Sequence, residues 1–116
     1  DIIIPNEHEV ELIGGIEALR AAGVATVVVT LGARGVAVID DTGTRVQPAF
    51  AVDTIDTTGA GDAFCGSLAA RLAAGITLDQ SIRWAAAAGA LATTAAGAVP
   101  SLPRAVDVRA LLTAAT

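Results

Sequence analysis

The stretch Asp56-Thr57-Thr58-Gly59-Ala60-Gly61-Asp62-Ala63-Phe64 places three small residues between an irregular segment and a run of helix formers. The run extends to about Ala74, and Gly75 stops it, so a long helix opening at Gly59-Ala60-Gly61 is predicted. Small residues at a helix start let a ligand come close to the backbone. The first turn also carries N–H groups without helical partners, and the helix dipole adds partial positive charge there. Together these make an anion hole suited to phosphate oxygens. Asp62 falls in that first turn. One reading is an acid that steadies the helix start, where the dipole favours it. The other is a base that orients an attacking hydroxyl. A weak base suffices for phosphoryl transfer, because the transition state is loose and the proton can move late.

Working outward, Ile2-Ile3-Ile4 reads as a short buried strand before a turn at Pro5-Asn6. Glu7 to Ile13 and Gly15 to Ala22 carry helical spacing, with Gly23 as the second stop. Thr26-Val27-Val28-Val29-Thr30-Leu31 is β-branched and almost wholly apolar, the pattern of a strand covered on both faces. Gly35 to Ile39 and Thr44 to Val46 form a hairpin around Asp40-Asp41-Thr42-Gly43, and Pro48 to Thr58 is irregular. Thr77 and Gln80 have the spacing of a capping box, opening a helix to about Ala96 where Gly97 breaks it. A last short helix covers about Val106 to Ala114. This order predicts an α/β fold with a mostly parallel sheet and no internal domain boundary.

Composition narrows the chemistry. The 116 residues carry a net charge of −5, and all seven basic residues are Arg. Without Lys there is no Walker A loop, no pyridoxal Schiff base and no Lys nucleophile. An acidic chain with scattered Arg is a poor nucleic-acid binder. One Cys (Cys65) and one His (His8) exclude a disulfide framework and a structural zinc site, and a lone thiol fits a reducing compartment, here the cytoplasm. Trp84 to Val99, the most apolar stretch, is about one turn short of a membrane span and reads as a buried helix. No signal peptide is visible. The chain has no Met and opens on Asp1-Ile2-Ile3-Ile4, so part of a longer protein is expected. A mean hydropathy of +0.65 predicts that much of the surface meets other protein.

Val52 to Leu68 resembles the C-terminal signature of the ribokinase-like (PfkB) carbohydrate kinases, Asp-Thr-x-Gly-Ala-Gly-Asp followed by a helix. Three further segments match in order. Pro5-Asn6-Glu7-His8-Glu9 looks like the family's Asn-x-x-Glu motif, Thr30 to Gly35 like its nucleotide-phosphate loop, and Gly97 to Ser101 like the loop after the nucleotide-side helix. The resemblance implies a three-layer α/β/α fold of which residues 1–116 are the C-terminal nucleotide-binding and catalytic portion. It implies an ATP-dependent transfer of the γ-phosphoryl group to a sugar hydroxyl, with Asp62 as base and Gly59, Ala60 and Gly61 as anion hole. Asn6 and Glu9 match the pair that organises Mg²⁺ through water, and Thr30, Gly32 and Gly35 match nucleotide contacts. Asp56, Thr58, Ala92, Ala95, Gly97 and Ser101 match a monovalent-cation site, usually K⁺. The expected partners are ATP, a small sugar and a missing N-terminal half carrying the sugar pocket. A homodimer of the full protein is among the assemblies it allows.

Several features stay open or fall away. Ala85-Ala86-Ala87-Ala88 stands where family members often place Asn or His beside adenine, so adenine would rest on an apolar wall. Asp41-Thr42-Gly43 imitates an aspartic-protease triplet, but a hairpin turn explains it. Gly59-x-Gly61 is not a dinucleotide fingerprint, since position 64 is Phe. Arg34 could reach a phosphate or solvate a loop. His8 reads as an exposed helix residue, Asp53 as a loop charge, Cys65 as a packed small thiol, and Trp84 as core or interface. Against the kinase stand two alternatives: a non-catalytic nucleotide-binding or assembly module, and a PfkB kinase for fructose, a sugar acid or a nucleoside.

Overall fold

The computed structural model describes residues 2–57, 59–94 and 103–114. The chain divides into two compact units, Asp1–Pro48 and Ala49–Thr116.

The first unit is built on a four-stranded sheet in the order β1-β2-β3-β4. β1 (Ile2–Ile3) leads through α1 (Glu7–Leu12) and α2 (Ile16–Ala21) to β2 (Thr26–Thr30). β1 and β2 run parallel, with Ile2 beside Thr26 and Ile3 beside Val27, the pairing a helical crossover produces. The chain then makes a 3₁₀ turn at Gly32–Arg34 and returns as β3 (Val36–Asp40) and β4 (Gly43–Gln47). β3 pairs antiparallel with both neighbours, Val28 lying opposite Val38 and Val38 opposite Arg45. The sheet is therefore mixed, parallel where it begins and antiparallel beyond β2.

Val27, Val28 and Val29 are all buried, so β2 is covered on both faces as its unbroken apolar run predicts. Val27 and Val29 join Val10 of α1 and Leu19 of α2 in one core, with Ile3, Ile16 and Val24 packed around it. Burying each such side chain contributes about 1.5–3 kcal/mol, which makes this face the main support of the unit.

The second unit is helical. α3 (Ala60–Ala73) buries Ala63, Phe64 and Leu68. α4 (Leu78–Ala92) buries Ser81, Ile82, Ala85, Ala87, Ala88, Gly89 and Ala92, and α5 (Ala105–Ala114) buries Val108. Ala87, Ala88 and Val108 form a second core, with Phe50, Trp84, Leu91, Leu111 and Leu112 against it. Thr77 caps α4 as expected, its hydroxyl accepting the Gln80 N–H at 3.3 Å.

Two expectations need correcting. α4 ends at Ala92, not near Ala96. Thr93 and Thr94 turn their hydroxyls back onto the Ala90 and Leu91 carbonyls (2.6 and 2.7 Å), and their N–H groups bond to the same two carbonyls. The helix tightens and stops there, since such back-bonding competes with the regular ladder. Cys65 is exposed rather than packed, although partial desolvation and then the Asp62 charge push its thiol up. Trp84, read as core or interface, packs half-buried against the second core, with the Arg71 guanidinium 4.1 Å and the Arg109 guanidinium 5.5 Å from its ring centre. Among the described residues no helix is long and apolar enough to cross a membrane.

The hairpin turn has its own electrostatic lock. One Asp40 oxygen accepts from the Thr42 N–H (2.9 Å) and hydroxyl (2.6 Å), and Arg45 binds both carboxylate oxygens at 3.1 and 3.0 Å. The Arg45 hydrogen bonds, then those from Thr42, hold the Asp40 carboxyl well below the usual carboxylate range. A carboxylate with a depressed folded pKa lends stability above its unfolded pKa and withdraws it as pH falls toward the folded one. The melting temperature should therefore fall as pH drops below about 4. Asp40→Asn should flatten that acid limb while lowering stability at neutral pH. Thermal melts across pH 2–7 check this, and an unchanged acid limb in the variant would contradict it.

Candidate functional site

The predicted site residues of the first unit meet at one corner of its sheet. Asn6 forms a parallel bridge with Thr30, and the Thr30 N–H donates to the Pro5 carbonyl at 3.0 Å. The end of β1 therefore delivers the Asn-x-x-Glu segment to the end of β2. The loop that follows closes on itself. The Leu31 N–H donates to the Gly35 carbonyl at 2.8 Å and the Gly35 N–H to the Gly32 carbonyl at 3.1 Å. Gly32 is exposed and Gly35 buried. Arg34 is ion-paired with Glu7, which raises its pKa further and ties the loop to the first turn of α1.

Asn6 and Glu9 form a complete capping box on α1. The Glu9 N–H donates to Asn6 Oδ1 at 2.8 Å, and the Asn6 N–H donates to Glu9 Oε1 at 3.0 Å. The Asn-x-x-Glu spacing is itself a capping signature, a signal the functional reading passed over. The box bears on metal binding. Asn6 Oδ1 and Glu9 Oε1 are already engaged, and among the described residues no group of three His, Cys, Asp or Glu could hold a metal ion. What is left is Glu9 Oε2 on an exposed helix start, a donor that fits Mg²⁺ only through water. Magnesium tolerates such sparse ligation because it keeps several of its waters.

In the second unit the segment before α3 is tied to the end of α4. The Ile55 and Asp56 N–H groups both donate to the Thr93 carbonyl, at 2.7 and 3.0 Å. This sets Asp56 beside the C-terminal end of α4, where Ala92 is its last residue. Helix-end carbonyls favour a cation, and an oxygen-only set from Asp56 and the backbone suits K⁺. Thr58, Ala95, Gly97 and Ser101 lie outside the described residues.

Gly59 is the N-cap of α3 with φ +83°, a left-handed conformation open to glycine, and it brings no side-chain capping bond. The Ala60 N–H is engaged with the Thr57 carbonyl at 3.2 Å, so this member of the expected anion hole closes the turn instead. The Ala63 N–H donates to the Gly59 carbonyl at 2.9 Å, the first helical bond there. Asp62 stands exposed in the same first turn. What this turn can do is bind an anion with backbone N–H groups and hold a carboxylate beside it. His8 and Asp53 are exposed, as read from the sequence.

The capping box makes a clear prediction. Asn6→Ala should destabilise the protein by about 1 kcal/mol, and Asn6→Asp, which keeps an acceptor oxygen, should restore most of it. Denaturant melts check this; equal stability of the two variants would contradict it.

Comparison with known proteins identifies the family. Residues 1–105 match the family described as pfkB family carbohydrate kinase. A ribokinase of Haemophilus influenzae is 41% identical over 115 residues, covering 89% of this chain and 38% of the relative. A ribokinase structure from Thermotoga maritima superposes with a TM-score of 0.91 at 33% identity, over 97% of this chain and 42% of that one. A double-mutant fructokinase of Vibrio cholerae, solved with fructose, ADP and potassium ion, gives a TM-score of 0.87 at 34% identity, over 96% and 40%. The chain thus spans about two-fifths of the length of these relatives. With its uncapped glycine turn, its Asp62 and a family match over nearly its whole length, the chain belongs to the pfkB family of carbohydrate kinases.

Proposed function

We propose that residues 1–116 are the C-terminal nucleotide-binding and catalytic portion of a ribokinase-like domain. It would transfer the γ-phosphoryl group of ATP to a sugar hydroxyl in the cytoplasm. The observation that carries this reading is the first turn of α3, where Gly59 starts the helix without a side-chain cap and Asp62 stands in the same turn. The coverage of about two-fifths of each relative supports a larger whole, with the sugar pocket supplied by the rest.

The chemistry follows from that turn. The acceptor hydroxyl oxygen forms a bond to the γ-phosphorus while the bond from that phosphorus to the β–γ bridging oxygen breaks, releasing ADP. The hydroxyl proton passes to the Asp62 carboxylate, late in a loose transition state. Backbone N–H groups of the turn and the helix dipole offset charge on the phosphoryl oxygens in flight. Asn6, Thr30, Gly32 and Gly35 lie at the corner read as the nucleotide side, and Glu9 would hold Mg²⁺ through water, where the ion neutralises phosphate charge. Asp56 and the Ala92 carbonyl, with Thr58, Ala95, Gly97 and Ser101, would hold K⁺ beside the turn. Ribose is the acceptor favoured here by the ribokinase relatives. Fructose, another sugar, a sugar acid or a nucleoside would leave the Asp62 chemistry unchanged.

Asp62→Asn in the protein that carries this chain should lower kcat about 100-fold or more, with KM for ATP altered little. Steady-state assays against ribose and fructose measure it. Turnover within about threefold of the parent would overturn the assignment and favour a nucleotide-binding module without catalysis.

A further inference from the structure

We propose that the last turn of α4 is the template that sets the direction of the anion-hole N–H groups, with Gly89 as a positioning residue for phosphoryl transfer. The inference rests on the phosphoryl-transfer reading of the α3 turn.

Two contacts from one end of one helix grip the segment that becomes this turn. At its upstream end the Thr93 carbonyl accepts the Ile55 and Asp56 N–H groups, and the Thr54 and Thr93 hydroxyls lie 3.4 Å apart. At its downstream end Gly89, one turn before Thr93, faces the start of α3. A methyl group on Gly89 would lie 3.3 Å from the Ala60 carbonyl oxygen and 3.6 Å from Phe64 Cβ. The first distance is tighter than nine in ten real contacts of this kind, and the neighbour is backbone. A side chain at this point of α4 would therefore require the Ala60 carbonyl to give way by a few tenths of an ångström.

The Ala60 carbonyl matters because of what it is bonded to. The C=O of Ala60 and the N–H of Gly61 belong to one planar peptide unit, so a push on the oxygen turns the N–H with it. With the Ala60 N–H spent on Thr57, the Gly61 N–H carries more of the anion hole. Removing one donor of such a hole costs about 100- to 1000-fold in rate, and small misplacements cost a sizeable part of that. The added methyl of Gly89→Ala thus reaches the reacting phosphoryl group through a rigid plane. It touches neither substrate nor nucleotide.

The test uses the protein that carries this chain. Gly89→Ala should lower kcat about tenfold, leave KM for ATP and sugar within about twofold, and shift the Gly61 amide resonance in a ¹⁵N-glycine spectrum. Gly66→Ala is the matched control on α3, where an added methyl meets nothing within 4 Å. It should keep full kcat and the parent Gly61 resonance. Should Gly89→Ala fail to accumulate as folded protein, Thr54→Val decides the matter at the other grip. It should lower kcat about threefold with KM held, and unchanged kcat there overturns the proposal. For folded Gly89→Ala, unchanged kcat or an unmoved Gly61 resonance overturns it. The Gly61 resonance reports the template even if Asp62→Asn stays active, so failure of the catalytic reading and failure of this one are told apart.

Discussion

Backbone groups left over at helix ends are the constraint around which this chain is arranged. Each α-helix begins with N–H groups and finishes with carbonyls that lack helical partners, and burial without partners is costly. α1 answers with the Asn6–Glu9 box and α4 with Thr77. At the other end of α4, Thr93 and Thr94 close the last turn, and the Thr93 carbonyl is freed to take two N–H groups from the 54–56 segment. α3 starts at Gly59, whose left-handed backbone turns the chain into the helix and brings no capping oxygen. Side chains meet this requirement at the starts of α1 and α4, whereas no capping side chain meets it at the start of α3, which leaves that start open to an outside acceptor.

Local chemistry explains which parts could be read from sequence. The Val27-Val28-Val29 run specifies a strand buried on both faces. Asp40-Asp41-Thr42-Gly43 specifies a hairpin because Asp40 bonds its own turn. Gly59 and Gly75 mark both ends of α3, within one or two residues. What escaped was decided by partners distant in sequence or by competing uses of one group. The end of α4 depends on hydroxyls folding back, which helical periodicity does not encode. Arg34 had two plausible uses, and Glu7, 27 positions earlier, took it. Cys65 lies on the exposed side of α3 because the neighbouring Phe64 and Leu68 occupy the buried one. Asn6 and Glu9 carried two meanings in one spacing, and the capping meaning is the one the backbone enforces.

The arginines sharpen what remains for the α3 turn. Arg20, Arg34, Arg45 and Arg104 pair with Asp41, Glu7, Asp40 and Asp107. Arg71 and Arg109 lie over Trp84, and Arg83 over Phe50. The chain has no Lys, and among the described residues of the second unit Arg71, Arg83, Arg104 and Arg109 are each engaged in these contacts. The peptide dipoles of the turn are therefore its local source of positive charge for an arriving anion. A flexible ammonium group could follow a displaced anion, because its attraction depends on distance alone. A peptide N–H cannot, since its interaction depends on direction and fades within the first turn. Fixed dipoles need no reorganisation when charge develops, which is their advantage in a transition state. The corresponding demand is that the backbone be held in place by its neighbours. That demand gives the close α3–α4 contact at Gly89 a meaning beyond packing.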